Sequence, residues 1–501
     1  MKNLKNFFIS LITSFMFMIP ASETSFLFPI HSRVDQNIFF TLGRGILQGK
    51  VPYRDLFEHK GPLIYFIHAA GALISKTSFV GVFVMQVLFF AVSILFMYKT
   101  AKLFTTEKRA WIAAMVTAAV SSATYAFKLG DNAEEFCWAF LMVSLYYLVK
   151  YFKDCETEFR PEKFSILFLN GIMAGCVLWL KFTQLGFWIG YMAVIFFYLI
   201  ANKKYGRAFA SCGVYLGGMA VTALPWIVYF GIKGALSDLF TTYFYDNIFL
   251  YGSGKSFFEK IISIGSSLAY DIIQNPLVMF MIGLGIFAFC VKKQYFTKPF
   301  GRACVTTAFL VLYIMLYIGG VRYDYYMLIA APFMLFGTIY VLDILASMKH
   351  PRKYMQTIAF ALCFVYVIVG SNALPYYGKK KSDFPQFVFA DTIKERGGKT
   401  LLNYGFIDGG FYLASGIEPI NRFFCKVNIP QDAFPEMYDE QIEMVRDKKV
   451  DFAVIRTRKD RTIKKDMRLE YDDLFKNYTV IQISDNPYET YRYFLLEKNP
   501  D

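Results

Sequence analysis

Long apolar runs separated by short polar loops dominate the chain as far as residue 371. They fall at Leu4–Ala21, Phe79–Leu103, Trp111–Phe127, Glu135–Phe152, Phe164–Leu180, Leu185–Ala201, Phe209–Phe230, Leu268–Val291, Ala303–Gly320, Tyr325–Ala346 and Met355–Ser371. These lengths suit a hydrocarbon core roughly 30 Å thick, so the pattern predicts about eleven transmembrane helices. Ala21-Ser22 would suit a signal-peptide cleavage site, but the bulky Phe and Met residues before it and Pro20 favour an uncleaved first span. Gly61–Ser75 is short for a crossing and reads as interfacial or re-entrant.

Residues 22–78 form a long polar loop between the first two runs. Within it Val34, Ile38, Leu42 and Ile46 recur at helical period, widened by Phe39 and Leu47, while Asp35, Gln36, Arg44 and Gln48 lie off the stripe. That pattern predicts an amphipathic helix lying in the membrane interface. Gly49 ends it, and Val51-Pro52-Tyr53-Arg54-Asp55 reads as a turn. After Ser371 the pattern becomes that of a soluble domain. Thr400–Tyr404, Asp451–Arg456, Tyr478–Ile483 and Tyr491–Leu496 read as strands, and Asp383–Arg396, Pro435–Lys448 and Met467–Asn477 as helices. The expected organisation is a transmembrane module, 1–371, and a small α/β domain with a partly parallel sheet, 372–501.

Composition agrees: 56% of the 501 residues are hydrophobic, 18% are charged, and mean hydropathy is +0.38. The net charge of +14 does not indicate nucleic acid, because the cations sit mostly in short loops between apolar runs. With the N-terminus in the cytoplasm, the inner loops carry Lys102/Lys108/Arg109, Lys153/Arg160/Lys163, Lys203/Lys204/Arg207, Lys292/Lys293/Lys298/Arg302 and Lys349/Arg352/Lys353. The short outer loops carry only Lys128, Lys181 and Arg322. The 22–78 loop and everything after Ser371 then face outward, at a plasma membrane. Eight scattered cysteines without a CxxC pair indicate neither a zinc site nor a disulfide framework, and no GxGxxG or P-loop is present.

Candidate chemistry gathers at the outer ends of the runs. Asp35 has the composition of a general base, although Ser32-Arg33-Val34-Asp35 also has capping-box spacing. Glu58-His59-Lys60 precede Gly61-Pro62 and an apolar run, so Lys60 could meet a phosphate at headgroup depth or merely snorkel. Asp55 could form a site with Arg54, pair with it, or cap the turn. Asp131 lies in the acidic loop Gly130–Glu135, where the helix dipole alone would favour carboxylates. Lys181, between two runs, must reach the surface or a polar partner, and snorkelling is the simpler outcome. Arg322, Tyr323 and Asp324 open an outward helix end.

The stretch RVDQNIFFTLGRGILQGKVPYRDLFEHKGPLIY resembles the GT-C superfamily of membrane glycosyltransferases, nearest the glycosyltransferase 39/ArnT-like group, which includes protein O-mannosyltransferases and lipid A aminoarabinose transferases. Leu180-Lys181-Phe182-Thr183, Leu224-Pro225-Trp226, the Arg322–Tyr326 run before Pro332 and the Tyr404–Gly410 segment fit the same group. The resemblance implies inverting transfer of a glycosyl group from a polyprenyl-phosphate-linked sugar to an envelope glycan, lipid or protein. It implies Asp35 as catalytic aspartate, Asp131 as second acid and Lys60 as binder of the lipid phosphate. His59, Glu58, Asp55, Arg54, Lys181, Arg322, Tyr323 and Asp324 are the remaining substrate-binding candidates. The family often has Asp-Glu at Asp35-Gln36, Lys-Pro-Pro at Lys60-Gly61-Pro62 and histidine at Asp324. These departures leave the acceptor and a divalent metal ion open. A transporter or flippase, or a polymerase or ligase of envelope glycolipid, is the alternative. The former would place ionisable groups deep in several spans, and these are nearly charge-free.

Overall fold

The computed structural model describes residues 2–250, 255–348, 354–461, 472–486 and 490–500. The chain divides into two compact units, the first from Met1–Ser22, Gln86–Ile227 and Ser253–Leu374, the second from Glu23–Met85, Val228–Gly252 and Pro375–Asp501.

The first unit is helical, as apolar all-round sequences demand where no water satisfies the backbone. Among the described residues of the chain, six helices are long and apolar enough to cross a bilayer: Asn3–Ala21, Val80–Ala101, Phe164–Gln184, Tyr205–Ile232, Pro299–Tyr317 and Tyr326–Ala346. A bent pair would make seven among the described residues. Helices also cover the other predicted runs, including Glu107–Ala123, Ala133–Asp154, Gly186–Ala201 and Met355–Gly370. Large apolar side chains such as Phe197, Phe209, Leu362 and Val369 remain exposed, as lipid-facing positions should. Glycine sets the closest approach: a Cβ on Gly171 would lie 2.0 Å from the Tyr215 carbonyl oxygen.

One predicted span, Leu268–Val291, is broken. Phe257–Gln274 and Pro276–Val291 meet at a 113° bend. Proline has no N–H and disfavours helical geometry in the residue before it, and Asn275 accordingly sits at φ −130°, ψ 54°. The periodicity of apolar residues runs through this break and conceals it. Pro332 similarly lies in a 3₁₀ stretch, Tyr326–Phe333, ahead of the helix Met334–Met348.

The second unit contains the long early loop and the α/β residues. The loop forms two helices, Val34–Leu47 and Pro62–Ile74, the latter thirteen residues long. The sheet has strand order Leu401–Asn403, Phe452–Arg458, Tyr491–Lys498, Tyr478–Asp485, with one parallel pairing and two antiparallel. Its helices Pro385–Glu395 and Pro435–Arg446 fall where the sequence places them. The third is seen as Asp472–Asn477, residues 467–471 lying outside the described residues.

Candidate active site

In the second unit Asp35 occupies the first turn of Val34–Leu47, half-buried. The capping-box spacing is not realised. Arg33 is the N-cap and offers no side-chain bond, while the Ser32 amide and hydroxyl donate to Glu23 at 2.6 and 3.1 Å. Asp35 therefore stands in the first turn of a helix whose N-cap is Arg33, one position after the Ser32 that its spacing suggested.

The helix carrying it is not an interfacial helix with a wet face, because residues 36 to 45 are all buried. Gly43 packs against Pro62–Ile74 so closely that a Cβ there would lie 2.7 Å from the Ala69 nitrogen. Polar positions within that buried stretch find protein partners, while Gln48 at the end of the helix is exposed. Thr41 donates to the Asp408 carboxylate at 2.7 Å, and Arg44 pairs with Glu418 and donates to the Tyr412 carbonyl at 3.2 Å. Burial raises the Asp408 carboxyl above its ordinary value despite the bonds donated by Thr41, Asn403 and the Gly410 amide.

Lys60 ends a tightly held segment. Glu58, 3% exposed, accepts from the Lys60 amide at 2.7 Å and from the Tyr65 hydroxyl, with His59 Nδ1 at 3.3 Å and Lys60 Nζ at 3.5 Å. The Lys60 carbonyl accepts from Tyr53 at 2.7 Å and lies 3.1 Å from the Tyr65 hydroxyl, and the His59 carbonyl accepts from Asn247 at 2.6 Å. Burial alone would raise the Glu58 carboxyl, but Lys60, His59, Tyr65 and the Lys60 amide together lower it to about 2. Glu58 is thus a fixed anion that positions its neighbours, and burial pushes the Tyr53 and Tyr65 phenols well above their usual value.

Arg54 and Asp55 serve the turn. Asp55 pairs with Arg54 at 2.8 Å and accepts from the Val51 amide at 2.7 Å, which together keep its carboxyl low. Arg54, exposed, also donates to the Lys233 carbonyl at 2.6 Å. Both local alternatives open in the sequence, ion pair and turn cap, are therefore present at Asp55.

In the first unit Asp131 is fully buried in a strained loop. The non-glycine residues Lys128 and Asp131 have positive φ, at 55° and 60°, on either side of Leu129 and Gly130. Such backbone persists only where surroundings over-determine it, and it concentrates at functional sites. The Asp131 amide donates to Glu135 at 2.9 Å, and Gln86 holds both Glu135 oxygens at 3.0 Å.

Lys181 does not snorkel: it is 7% exposed and pairs with the buried Glu134 at 2.5 Å, its ammonium 4.0 Å from the Tyr326 ring centre. A buried ammonium stays charged only where a partner repays its desolvation. Asp324 accepts from Lys128 and Tyr270 at 2.7 Å and from Tyr125 at 3.1 Å. Burial would raise this carboxyl, but those donors hold it below its ordinary value. Arg322 lies over the Tyr270 ring at 4.0 Å, and Tyr323 packs against Tyr325 and Tyr326.

Among the described residues no three or more His, Cys, Asp or Glu side chains gather as metal ligands. Sequence reasoning missed Tyr53, Tyr65 and Asn247 around Lys60, Gln86 beside Glu135 and Tyr270 beside Asp324. Tyr65 carried a usable signal, since it lies one helical turn into the run after Pro62. Asn247 and Gln86 carried none, their partners being far off in the chain.

Residues 59–230 match the family described as dolichyl-phosphate-mannose-protein mannosyltransferase. No curated protein matches in sequence. Among solved structures the chain is similar to ArnT from Cupriavidus metallidurans in the apo state, at 9% identity and TM-score 0.62, and to that protein bound to undecaprenyl phosphate, at 10% and 0.59, each over 99% of both chains. It is also similar to the apo oligosaccharyltransferase of Archaeoglobus fulgidus, at 14% identity and TM-score 0.51, over 90% of this chain and 69% of that one. The chain thus shares the fold of these membrane glycosyltransferases along its whole length, and residues 59–230, from the end of the early loop through the spans that follow it, match the mannosyltransferase family.

Proposed function

We propose that the chain transfers a glycosyl group from a polyprenyl-phosphate-linked sugar to a hydroxyl of an envelope glycan, lipid or protein, at the outer face of the plasma membrane. The acceptor oxygen attacks the anomeric carbon from the side opposite the phosphate, with inversion. The bond from that carbon to the phosphate oxygen breaks, and the polyprenyl phosphate leaves with the electron pair. Asp35 takes the acceptor proton as general base, and Lys60 neutralises the charge gathering on the leaving phosphate. Asp131 supplies the second acid. The likeness to an ArnT bound to undecaprenyl phosphate supports a lipid phosphate as leaving group. The asymmetry of lysine and arginine between loops supports the outward site and a cytoplasmic N-terminus.

The observation that carries this reading is the clamp around Lys60. A cation at the start of an apolar helix is common, but here the backbone on either side of it is fixed by Tyr53, Tyr65 and Glu58. A snorkelling anchor needs no such fixing, whereas a phosphate ligand gains from it. The test is incubation of the purified chain in detergent with a polyprenyl-phosphate-linked sugar and envelope acceptor fractions. Transfer of the sugar with release of polyprenyl phosphate, lost in Asp35→Asn, is expected. Movement of the intact donor across vesicles without that cleavage would favour a flippase.

A further inference from the structure

The segment that presents Lys60 is fastened to the α/β residues of its own compact unit. Phe57, three positions before Lys60, is 1% exposed and belongs to the α/β core together with Leu402, Tyr404, Val445 and Ile455. Its ring lies 5.0 Å from those of Phe423 and Phe434, and its amide donates to the Arg422 carbonyl at 2.9 Å. Arg422 returns the contact, donating from Nε to the Tyr53 carbonyl at 3.0 Å with its guanidinium 5.4 Å from the Phe57 ring centre. Tyr53 in turn donates to the Lys60 carbonyl. One continuous path therefore runs from Arg422 through Tyr53 to Lys60, with Phe57 as a second tether.

Resting on the phosphate-binding reading of Lys60, we propose that Phe57 and Arg422 are positioning residues, through which the α/β domain sets the backbone that presents Lys60 to the lipid phosphate. The domain is then part of the donor site and not a separate accessory. A phosphate ligand displaced by a fraction of an ångström binds the ground state and the leaving phosphate less well, and two tethers on one short segment prevent that.

The experiment measures binding of undecaprenyl phosphate to the full-length protein in detergent, on matched amounts of folded protein. Arg422→Ala is expected to weaken binding about tenfold, and the double variant Lys60→Ala/Arg422→Ala to bind no worse than Lys60→Ala alone, because both act through one ligand. Arg396→Ala, which breaks a 2.6 Å contact with Glu497 on the exposed side of the domain, should bind as wild type. If Arg422→Ala does not fold, Phe57→Leu keeps an apolar plug, and the same non-additivity with Lys60→Ala is expected. Normal affinity in both tether variants, or losses that add to that of Lys60→Ala, would overturn the inference and leave the role of Lys60 standing. Normal affinity in Lys60→Ala would instead remove the phosphate reading, and the inference with it.

Discussion

Single residues separate chemistry from scaffolding here. Asp35 and Glu58 are both carboxylates of one compact unit, yet Glu58 is buried and saturated with donors while Asp35 is half-exposed at a helix start. Asp35→Asn keeps the shape and any helix-start preference, so stability should change by only a few tenths of a kcal/mol. Transfer should fall by at least about a hundredfold if a base is lost. Turnover within about threefold of wild type, on matched protein, would return Asp35 to a structural role. Glu58 makes a different prediction. Its folded-state value, about 2, lies below the ordinary 4.5, so its contribution is complete above 4.5 and is lost as pH falls toward 2. The difference corresponds to about 3 kcal/mol. The thermal midpoint of wild type should drop across that window more steeply than that of Glu58→Gln, and parallel acid profiles would contradict the assignment. The sequence already held both residues as candidates, because polar residues in an apolar chain are conspicuous. It did not show how Glu58 is held, since Tyr65 is brought to it by the fold.

At the level of elements, the helix pair Val34–Leu47 and Pro62–Ile74 shows how periodicity informs and misleads. The apolar stripe gave the first helix and its boundaries closely. It mistook the environment, because Thr41 and Arg44 are polar for partners in Asp408 and Glu418 and not for water. Gly43, which the stripe passes over, is a point of close contact in the pair. Gly43→Val would drive a side chain into the backbone of His68 and Ala69 and should cost roughly 1–3 kcal/mol or more. A thermal midpoint within 1 °C or so of wild type would show that the helices part without penalty. Helix breaks were legible only in hindsight: Asn275-Pro276 interrupts an apolar run with a dipeptide whose local geometry excludes a continuous helix.

For the whole molecule, fold class and the small mixed sheet were open to reading because both rest on composition and period. Which residues unite was not. The loop at 22–78 and the residues after 375 form one compact unit, though some three hundred residues of chain lie between them, and no local pattern encodes that. Topology stays a matter of charge asymmetry. Reporter fusions at residues 353 and 383 should report opposite sides of the membrane, the second outside. Two cytoplasmic signals would remove the outward site.

The central claim is that Lys60 carries the charge of the lipid phosphate in both the bound donor and the leaving group. Steady-state kinetics of Lys60→Ala with a polyprenyl-phosphate-linked sugar, on matched amounts of folded protein in detergent, tests it most directly. The expected result is a donor KM raised about tenfold or more and a lowered kcat, with acceptor KM unchanged. Lys60→Arg should keep part of the activity, since the guanidinium retains the charge but not the shape of an ammonium. A Lys60→Ala protein with normal donor KM and kcat would contradict the account.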